Sequence, residues 1–170
     1  TKEAVEFVRD QNDLLAATIT LHHLLINRNK LLSQNLRPHF YCAPILKSEL
    51  DRKILVEAAT SGNSKFFLGT DSAPHFDSNK LSACGCAGVF TSPVAMEYLV
   101  QLFYNLGKID MLENFTSING ALFYGEPTEG KKVKYIYKSI PRKRPKSIQI
   151  RNEEINIFDP GIDLHWEKEK

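Results

Sequence analysis

The chain has 170 residues, of which 42% are hydrophobic and 25% are charged, and its formal net charge at pH 7 is +2. This composition is typical of a globular protein and excludes a largely disordered chain. The small net charge does not indicate a nucleic-acid partner, and no apolar run approaches the roughly 18 residues that a membrane span needs.

The amino terminus and the cysteines bear on the cellular compartment. The first residues lack the charged-then-apolar layout of a signal peptide, so we expect a cytoplasmic protein without a membrane partner. Cys84 and Cys86 are too close along the chain to pair with each other, so we expect reduced thiols. Together with Cys42 they lack the paired Cys-x2-Cys spacing of structural zinc modules. We interpret all three as small residues near a loop.

The first sixty residues predict alternating helices and strands. A helix is predicted over residues 2–11 with Thr1 as its N-cap, and an apolar run predicts a buried strand over residues 14–19. Residues 21–32 favour a short helix and a loop. Residues 40–42 predict a second strand, and Ser48 is the expected N-cap of a helix that reaches about Thr60.

A third strand and a long loop follow. The strand is predicted over residues 66–69, so the order of elements is the βαβ alternation of a parallel sheet. Residues 70–91 show no periodicity, and a loop of that length inside a compact domain is usually functional.

Two helices are predicted after this loop. The first begins with Ser92 as N-cap and Pro93 at the first helical position, and it stops at Gly107. The second is predicted over residues 110–118, closed by Asn119 and Gly120.

The character of the chain changes after Gly125. Alternating apolar and polar residues predict a strand within residues 132–138, and two more short strands are expected at 148–151 and 155–158. We therefore divide the chain into residues 1–125, an α/β domain, and residues 126–170, a carboxyl-terminal extension with short strands and a basic loop.

The segment most informative about chemistry is residues 66–75 (FFLGTDSAPH). An apolar strand runs directly into the carboxylate of Asp71, a proline and the imidazole of His75. An α/β barrel presents catalytic groups in this way at the carboxyl-terminal rim of its strands. Taken alone, Asp71 could equally cap a turn.

Two flanking segments favour the catalytic interpretation of Asp71 over the turn cap. Residues 37–47 (RPHFYCAPILK) and 84–88 (CGCAG) stand on either side of Asp71, and with them the chain resembles dihydroorotase, the single-function bacterial type within the amidohydrolase superfamily. The resemblance covers roughly residues 1–125. A (β/α)8 barrel needs about 250 residues, so the resemblance implies the carboxyl-terminal part of a TIM barrel, about three βα units, in a fragment or one piece of a longer enzyme.

The resemblance also implies a reaction. Dihydroorotases catalyse the reversible, metal-dependent cyclisation of N-carbamoyl-L-aspartate to L-dihydroorotate in de novo pyrimidine biosynthesis. The implied cofactors are two zinc ions, and the implied partners are the amino-terminal half of the same enzyme and a second copy in a homodimer. The other metal ligands, a His-x-His pair, a carboxylated lysine and two further histidines, are expected upstream of Thr1. The isolated chain is therefore expected to be inactive.

Four residues receive roles by this resemblance. Asp71 is expected to ligate one metal ion and to act as the catalytic acid and base. His75 and the backbone N–H of Ala87 are expected to bind the substrate carboxylate through charge-assisted hydrogen bonds. The main chain of Ala43 is expected to pair with the amide edge of the ring.

Two alternatives remain at this point. Another cyclic-amide hydrolase, such as a hydantoinase, has the same fold class, but a hydantoin has no carboxylate to occupy the site at His75 and Ala87. A non-catalytic half-barrel that binds partners through residues 142–146 (RKRPK) is the second alternative. Because this basic cluster has no interleaved aromatic residues, we interpret it as a solvated loop and expect no nucleic-acid partner.

Overall fold

A parallel pair of strands lies at the centre of the fold. The computed structural model describes residues 1–169, and in it β1 (Ala17–Ile19) pairs in parallel with β2 (Phe66–Leu68), with Ala17 opposite Phe66. Gly69 N donates to Ile19 O at 3.2 Å and extends the ladder towards the carboxyl ends of both strands. The sequence therefore placed these two strands correctly, although β1 begins three residues later than predicted.

Two helices flank the strands, and their starts are confirmed. Helix α1 (Lys2–Asp10) begins at Thr1, whose side chain accepts a hydrogen bond from Ala4 N. Helix α4 (Glu49–Thr60) begins with a capping box in which Ser48 and Asp51 each bind the other's backbone N–H. Such reciprocal bonds satisfy N–H groups that have no partner inside the helix.

The short helix α2 (Leu21–Leu25) follows β1 as predicted, but a second helix, α3 (Arg28–Leu32), stands where a loop is expected. The prediction of a strand at residues 40–42 is wrong. Residues Pro38–Phe40 form a 3-10 helix, and Phe40 N donates to Arg37 O at 3.0 Å. Proline favours the first turn of a helix, because its fixed φ suits that turn and the N–H it lacks would have no partner there.

A third parallel segment comes from the long loop instead. Ser72 forms an isolated parallel bridge with Val89, and Ala73 N donates to Val89 O at 3.1 Å. The loop also contains the short helix α5 (Asp77–Lys80). Residues near Val89 therefore continue the sheet beside the end of β2.

The most apolar helix, α6 (Ala95–Asn105), starts later than predicted, so Ser92 is not its N-cap. Ser92 N donates to the side chain of Ser72 at 3.0 Å, and Val94 N closes a turn on Thr91 O. These contacts hold residues 91–94 outside the helix. The expected stop is confirmed, since Gly107 has a φ of +65° just beyond the end of the helix.

The next helical region differs from the prediction. A 3-10 helix (Ile109–Met111) leads into a π-helix (Asn114–Ile118), and α7 (Asn119–Tyr124) continues directly from it. Asn119 does not close a helix, since α7 begins at this residue. Its buried side-chain amide donates to Phe66 O at 3.2 Å and ties the helix to β2. The helix ends at Gly125, where φ is +72°.

Residues after Gly125 contain four short strands in two antiparallel pairs, of which three strands are predicted from the sequence and the fourth, at residues 166–168, is not. Strand β3 (Tyr135–Tyr137) pairs with β6 (Trp166–Lys168), and β4 (Ser147–Ile150) pairs with β5 (Glu153–Asn156). The last predicted strand lies earlier than expected, and residues 157–158 are instead buried in the core.

This extension packs onto helix α6. Gln101 donates to Asp163 O at 2.6 Å and accepts from His165 N at 2.7 Å, while the Tyr98 hydroxyl donates to Ile162 O. The division at residue 125 stays a prediction. Within the described part of the chain, no helix has both the length and the apolar character that crossing a bilayer requires.

Candidate active site

Asp71 lies three residues beyond β2, at the carboxyl end of the parallel strands. Its φ is +41°, a left-handed conformation that is uncommon for a residue other than glycine. The side chain is exposed and makes no hydrogen bond or ion pair with any residue in the range 1–169. Strained backbone of this kind occurs at functional sites, where the surrounding structure holds it in place.

A cavity of about 300 Å³ lies in front of Asp71. Its walls include Thr20, which follows β1, His23 of α2, and Pro44 and Lys47 from the segment that precedes α4, and helix α1 forms a further wall. Residues that follow the ends of β1 and β2 thus line one space together with residues of α1, α2 and the segment before α4. Strand ends meet in this way at the rim of an α/β barrel.

His75 lies against the second loop of the predicted site. Its Nε2 is 3.1 Å from Ala87 O, close enough for the imidazole N–H to donate to this carbonyl. The structure thus brings His75 and Ala87 together, as the resemblance implied, but through the Ala87 carbonyl rather than a ligand. His75 lies beside a different cavity from the one at Asp71, with a volume of only about 10 Å³.

Main-chain groups at the two alanines are available to a ligand. Among the described residues, Ala43 N–H and C=O and Ala87 N–H take part in no hydrogen bond. A hydrogen bond from Gly88 N to Tyr41 O, 2.9 Å long, joins the two segments. Ala43 is exposed and Ala87 is half-buried, so a ligand can reach these main-chain groups.

One residue of this region, Lys80, had no predicted function in the sequence. Its side chain is buried, and Nζ donates to three carbonyl oxygens, those of Tyr41 (3.0 Å), Cys86 (2.7 Å) and Gly88 (2.8 Å). Burial lowers the pKa of this ammonium from its ordinary value. No periodicity or motif could have identified it, because its partners are main-chain carbonyls of two loops, six, eight and thirty-nine residues away.

A second group of titratable residues consists of His22, His23 and Cys42, of which His23 lines the same cavity as Asp71. One ring nitrogen from each of His22 and His23 and the Cys42 Sγ lie within 4.8 Å of one another. The His23 nitrogens are already paired with the Thr20 hydroxyl (2.7 Å) and with Pro44 O (3.1 Å), and Cys42 donates to Pro44 O. These bonds make the group part of the wall of the site.

His22 is the buried member of this group. Burial lowers its pKa to about 3, and its Nδ1 has no hydrogen-bond partner among the described residues. The imidazole is therefore neutral near pH 7 and contributes no charge to the rim.

The basic segment at residues 142–146 is tied to the fold at two points. Arg144 donates to Phe158 O (3.0 Å) and to the Asp159 carboxylate (2.7 Å), and its guanidinium lies 5.0 Å from the centre of the Tyr98 ring. Arg142 pairs with Glu97 at 3.1 Å. The two arginines are therefore structural contacts rather than a free basic surface.

Comparisons with known proteins show which proteins this chain resembles. No protein-family model matches the chain. It is 46% identical over 166 residues to the dihydroorotase of Ruegeria sp. (strain TM1040) and equally identical over 166 residues to that of Nitrosomonas europaea. Each match covers 98% of this chain but only 48% and 47% of the relative, so the chain spans about half the length of the curated relatives it matches.

Solved structures give the same result. The dihydroorotase of Campylobacter jejuni superposes with a TM-score of 0.86 at 31% identity, covering 100% of this chain and 49% of that one. The Saccharomyces cerevisiae dihydroorotase, solved in complex with 5-fluoroorotic acid, gives 0.85 at 30% identity, covering 99% and 49%. The predicted fold class, the carboxyl-terminal part of an α/β barrel, is confirmed by these neighbours. The chain is a homologue of dihydroorotases and corresponds to their carboxyl-terminal half.

Proposed function

We propose that this chain is the carboxyl-terminal half of an enzyme that interconverts N-carbamoyl-L-aspartate and L-dihydroorotate. The observation that carries the proposal is the exposed, strained Asp71 at the ends of the parallel strands, in a chain whose relatives are named dihydroorotases. The proposed partner is an amino-terminal half that completes the barrel, with a homodimer in the cytoplasm as the assembled form.

Asp71 fits the role of a metal ligand. Its carboxylate is exposed at the rim and has no competing partner among residues 1–169, and carboxylate oxygen is a ligand that zinc accepts. One side chain does not hold two ions, so the remaining ligands must come from the other half. When bound, two zinc ions would supply an acidified water and polarise the ring carbonyl.

In this proposal Asp71 carries out the proton transfers. Ring opening requires a base that takes a proton from the attacking water and returns it to the ring nitrogen, and ring closure reverses these steps. An acid–base group must lie within hydrogen-bond reach of the reacting atoms. The position of Asp71 at the carboxyl end of the parallel strands, where it lines the 300 Å³ cavity, supports this role.

The substrate carboxylate would bind between His75 and Ala87. If His75 is cationic, Nε2–H donates to Ala87 O and Nδ1–H stays available for the carboxylate. The unpaired Ala87 N–H supplies a second donor, and the unpaired main chain of Ala43 offers both a donor and an acceptor to the amide edge of the ring. Bonds from an imidazolium to a carboxylate are charge-assisted and therefore strong.

This arrangement separates the proposal from its nearest rival. A hydantoinase substrate has no carboxylate, so the pairing of His75 with Ala87 would serve no purpose in that enzyme. A non-catalytic half-barrel that binds through the basic segment is not favoured either, because Arg142 and Arg144 are paired within the fold.

The test uses the complete protein, meaning this chain joined to its amino-terminal half. Turnover is measured in both directions for the wild type, for Asp71→Ala and for a control, Asp13→Ala, in which an exposed carboxylate far from the rim is removed. We expect Asp71→Ala to lose at least about a thousandfold in rate in both directions, since a positioned acid–base group and a metal ligand are lost together.

Three outcomes would contradict the proposal. A wild type that opens hydantoin but not L-dihydroorotate would indicate the rival hydrolase. A wild type without turnover on either compound, despite full metal loading, would indicate a non-catalytic module. Retention of more than a small fraction of the rate by Asp71→Ala would exclude the acid–base role.

A further inference from the structure

We infer that Lys80 is a positioning residue that sets the distance between the two main-chain segments of the substrate site. The inference rests on the proposed function, because it assigns Lys80 to the binding of the same substrate. Lys80 touches neither the substrate nor the metal in this account. It acts through residues 41–43 and 86–88.

The ammonium of Lys80 is fully used by main-chain carbonyls. An ammonium has three donors, and Lys80 gives them to Tyr41 O, Cys86 O and Gly88 O at distances between 2.7 and 3.0 Å. The side chain is 5% exposed, and among the described residues Lys80 forms no ion pair with a carboxylate. A buried charge without a counter-ion is costly unless hydrogen bonds satisfy all its donors.

The three carbonyls are placed on both sides of the groups that would bind substrate. Lys80 holds the Cys86 carbonyl, which shares a peptide plane with the Ala87 N–H that would bind the substrate carboxylate, and it also holds the carbonyl of Gly88, the residue after Ala87. Tyr41 lies two residues before Ala43 in the other segment. One ammonium therefore links the carboxylate end of the site to the ring end.

A backbone hydrogen bond also joins the two segments. Tyr41 O accepts from both Lys80 Nζ (3.0 Å) and Gly88 N (2.9 Å), so the two segments share one carbonyl as their junction. His75 is held in the same assembly through Ala87 O. Loss of the ammonium would leave Cys86 O and Gly88 O without this donor, so the bond from Gly88 N to Tyr41 O would remain as the link between the two segments.

Removal of the ammonium should weaken substrate binding more than it slows the chemical step. Asp71 lies on a different backbone segment, held by Ser72 and its bonds to Thr91 N and Ser92 N, and does not contact Lys80. In the complete enzyme, Lys80→Met should raise KM for both substrates about tenfold or more and change kcat less than about threefold, because misplaced binding groups lose uniform binding energy. Zinc content should stay at the wild-type value.

A double-mutant cycle tests whether Lys80 acts through the His75 and Ala87 pair. The variants are Lys80→Met, His75→Ala and the double variant, and the matched control is Lys53→Met, which removes an exposed lysine from α4. If Lys80 positions the pair, the double variant should raise KM by clearly less than the product of the two single effects. Lys53→Met should leave KM unchanged.

The outcomes distinguish this inference from the proposed function. If the wild type has no dihydroorotase turnover, the proposed function fails first. If the wild type is active and Lys80→Met has the KM of Lys53→Met, or if the KM effects of Lys80→Met and His75→Ala simply multiply, the positioning role is overturned. Should Lys80→Met not fold, Lys80→Gln replaces it: a raised KM supports the inference, and a KM equal to that of Lys53→Met overturns it.

Discussion

His75 and Gly88 approach each other so closely that a side chain on Gly88 would collide with the imidazole. A Cβ placed on Gly88 would lie 2.8 Å from His75 Nε2 and 2.6 Å from the Ala73 Cβ, and the φ of Gly88 is +153°. The glycine therefore lets the Ala87 loop lie directly on His75, and a methyl group at this position should push the two apart.

Gly88→Ala is expected to lower the free energy of unfolding by about 1–3 kcal/mol, the usual cost of overpacking, and to raise KM for both substrates. Chemical denaturation and steady-state kinetics of the complete protein measure the two effects. Gly130→Ala is the matched control, because a Cβ there would meet nothing within 4 Å. Unchanged KM and stability for Gly88→Ala would show that the contact is not a constraint.

His75→Ala in the complete enzyme should raise KM for both substrates by about tenfold or more, because a charge-assisted hydrogen bond to the substrate carboxylate is lost. Zinc content, measured by atomic absorption, should not change. His165→Ala removes a histidine of the extension that stacks on Tyr137 and serves as the control. Loss of zinc with unchanged KM would mean that His75 is a metal ligand and not part of the carboxylate site.

Arg144→Met should destabilise the fold by about 1–3 kcal/mol, because a guanidinium that is largely buried loses its bonds to Phe158 O and Asp159 and its contact with Tyr98. Lys143→Met, an exposed neighbour, should change stability by less than about 0.5 kcal/mol. Equal effects of the two substitutions, measured by denaturant unfolding, would contradict the structural role of Arg144.

Stability should fall with acid because His22 is buried as a neutral imidazole. Its pKa drops from 6.5 to about 3 in the folded protein. Below pH 6.5 the unfolded state binds a proton that the folded state does not, so the free energy of unfolding decreases as the pH falls from 6.5 to 3. The slope from this single group approaches about 1.4 kcal/mol per pH unit.

Unfolding curves of the wild type and His22→Gln between pH 3 and pH 7 measure this contribution. In the variant, the free energy of unfolding should depend less steeply on pH, by roughly the slope that one bound proton contributes. Parallel curves for the two proteins would mean that His22 takes up its proton without unfolding.

The sequence predicted the elements whose signals are local. Thr1 and Ser48 were identified as N-caps because a side-chain oxygen followed by a helical pattern is a short-range feature, and β2 stood out as an apolar run. The wrong predictions concern residues whose structure is determined by contacts that are distant in sequence. Ser92 has the residue type of an N-cap, but its backbone N–H is bound to Ser72, twenty residues away.

The candidate site divides in the same way. Asp71, His75, Ala43 and Ala87 were named because they lie in segments that resemble a known family, and their roles stay predictions. Lys80 could not be found, since its significance depends on carbonyls six, eight and thirty-nine residues away. The left-handed φ of Asp71 was also invisible in the sequence, which does not encode backbone strain as a pattern.

The most direct measurement is the rate of L-dihydroorotate hydrolysis by this chain alone and after reconstitution with an amino-terminal half in the presence of zinc. We predict no turnover by the isolated chain, because Asp71 alone does not hold two ions, and turnover once the two halves form a complex. Equal turnover with and without the second half would contradict the account. So would a stable, zinc-loaded complex without turnover.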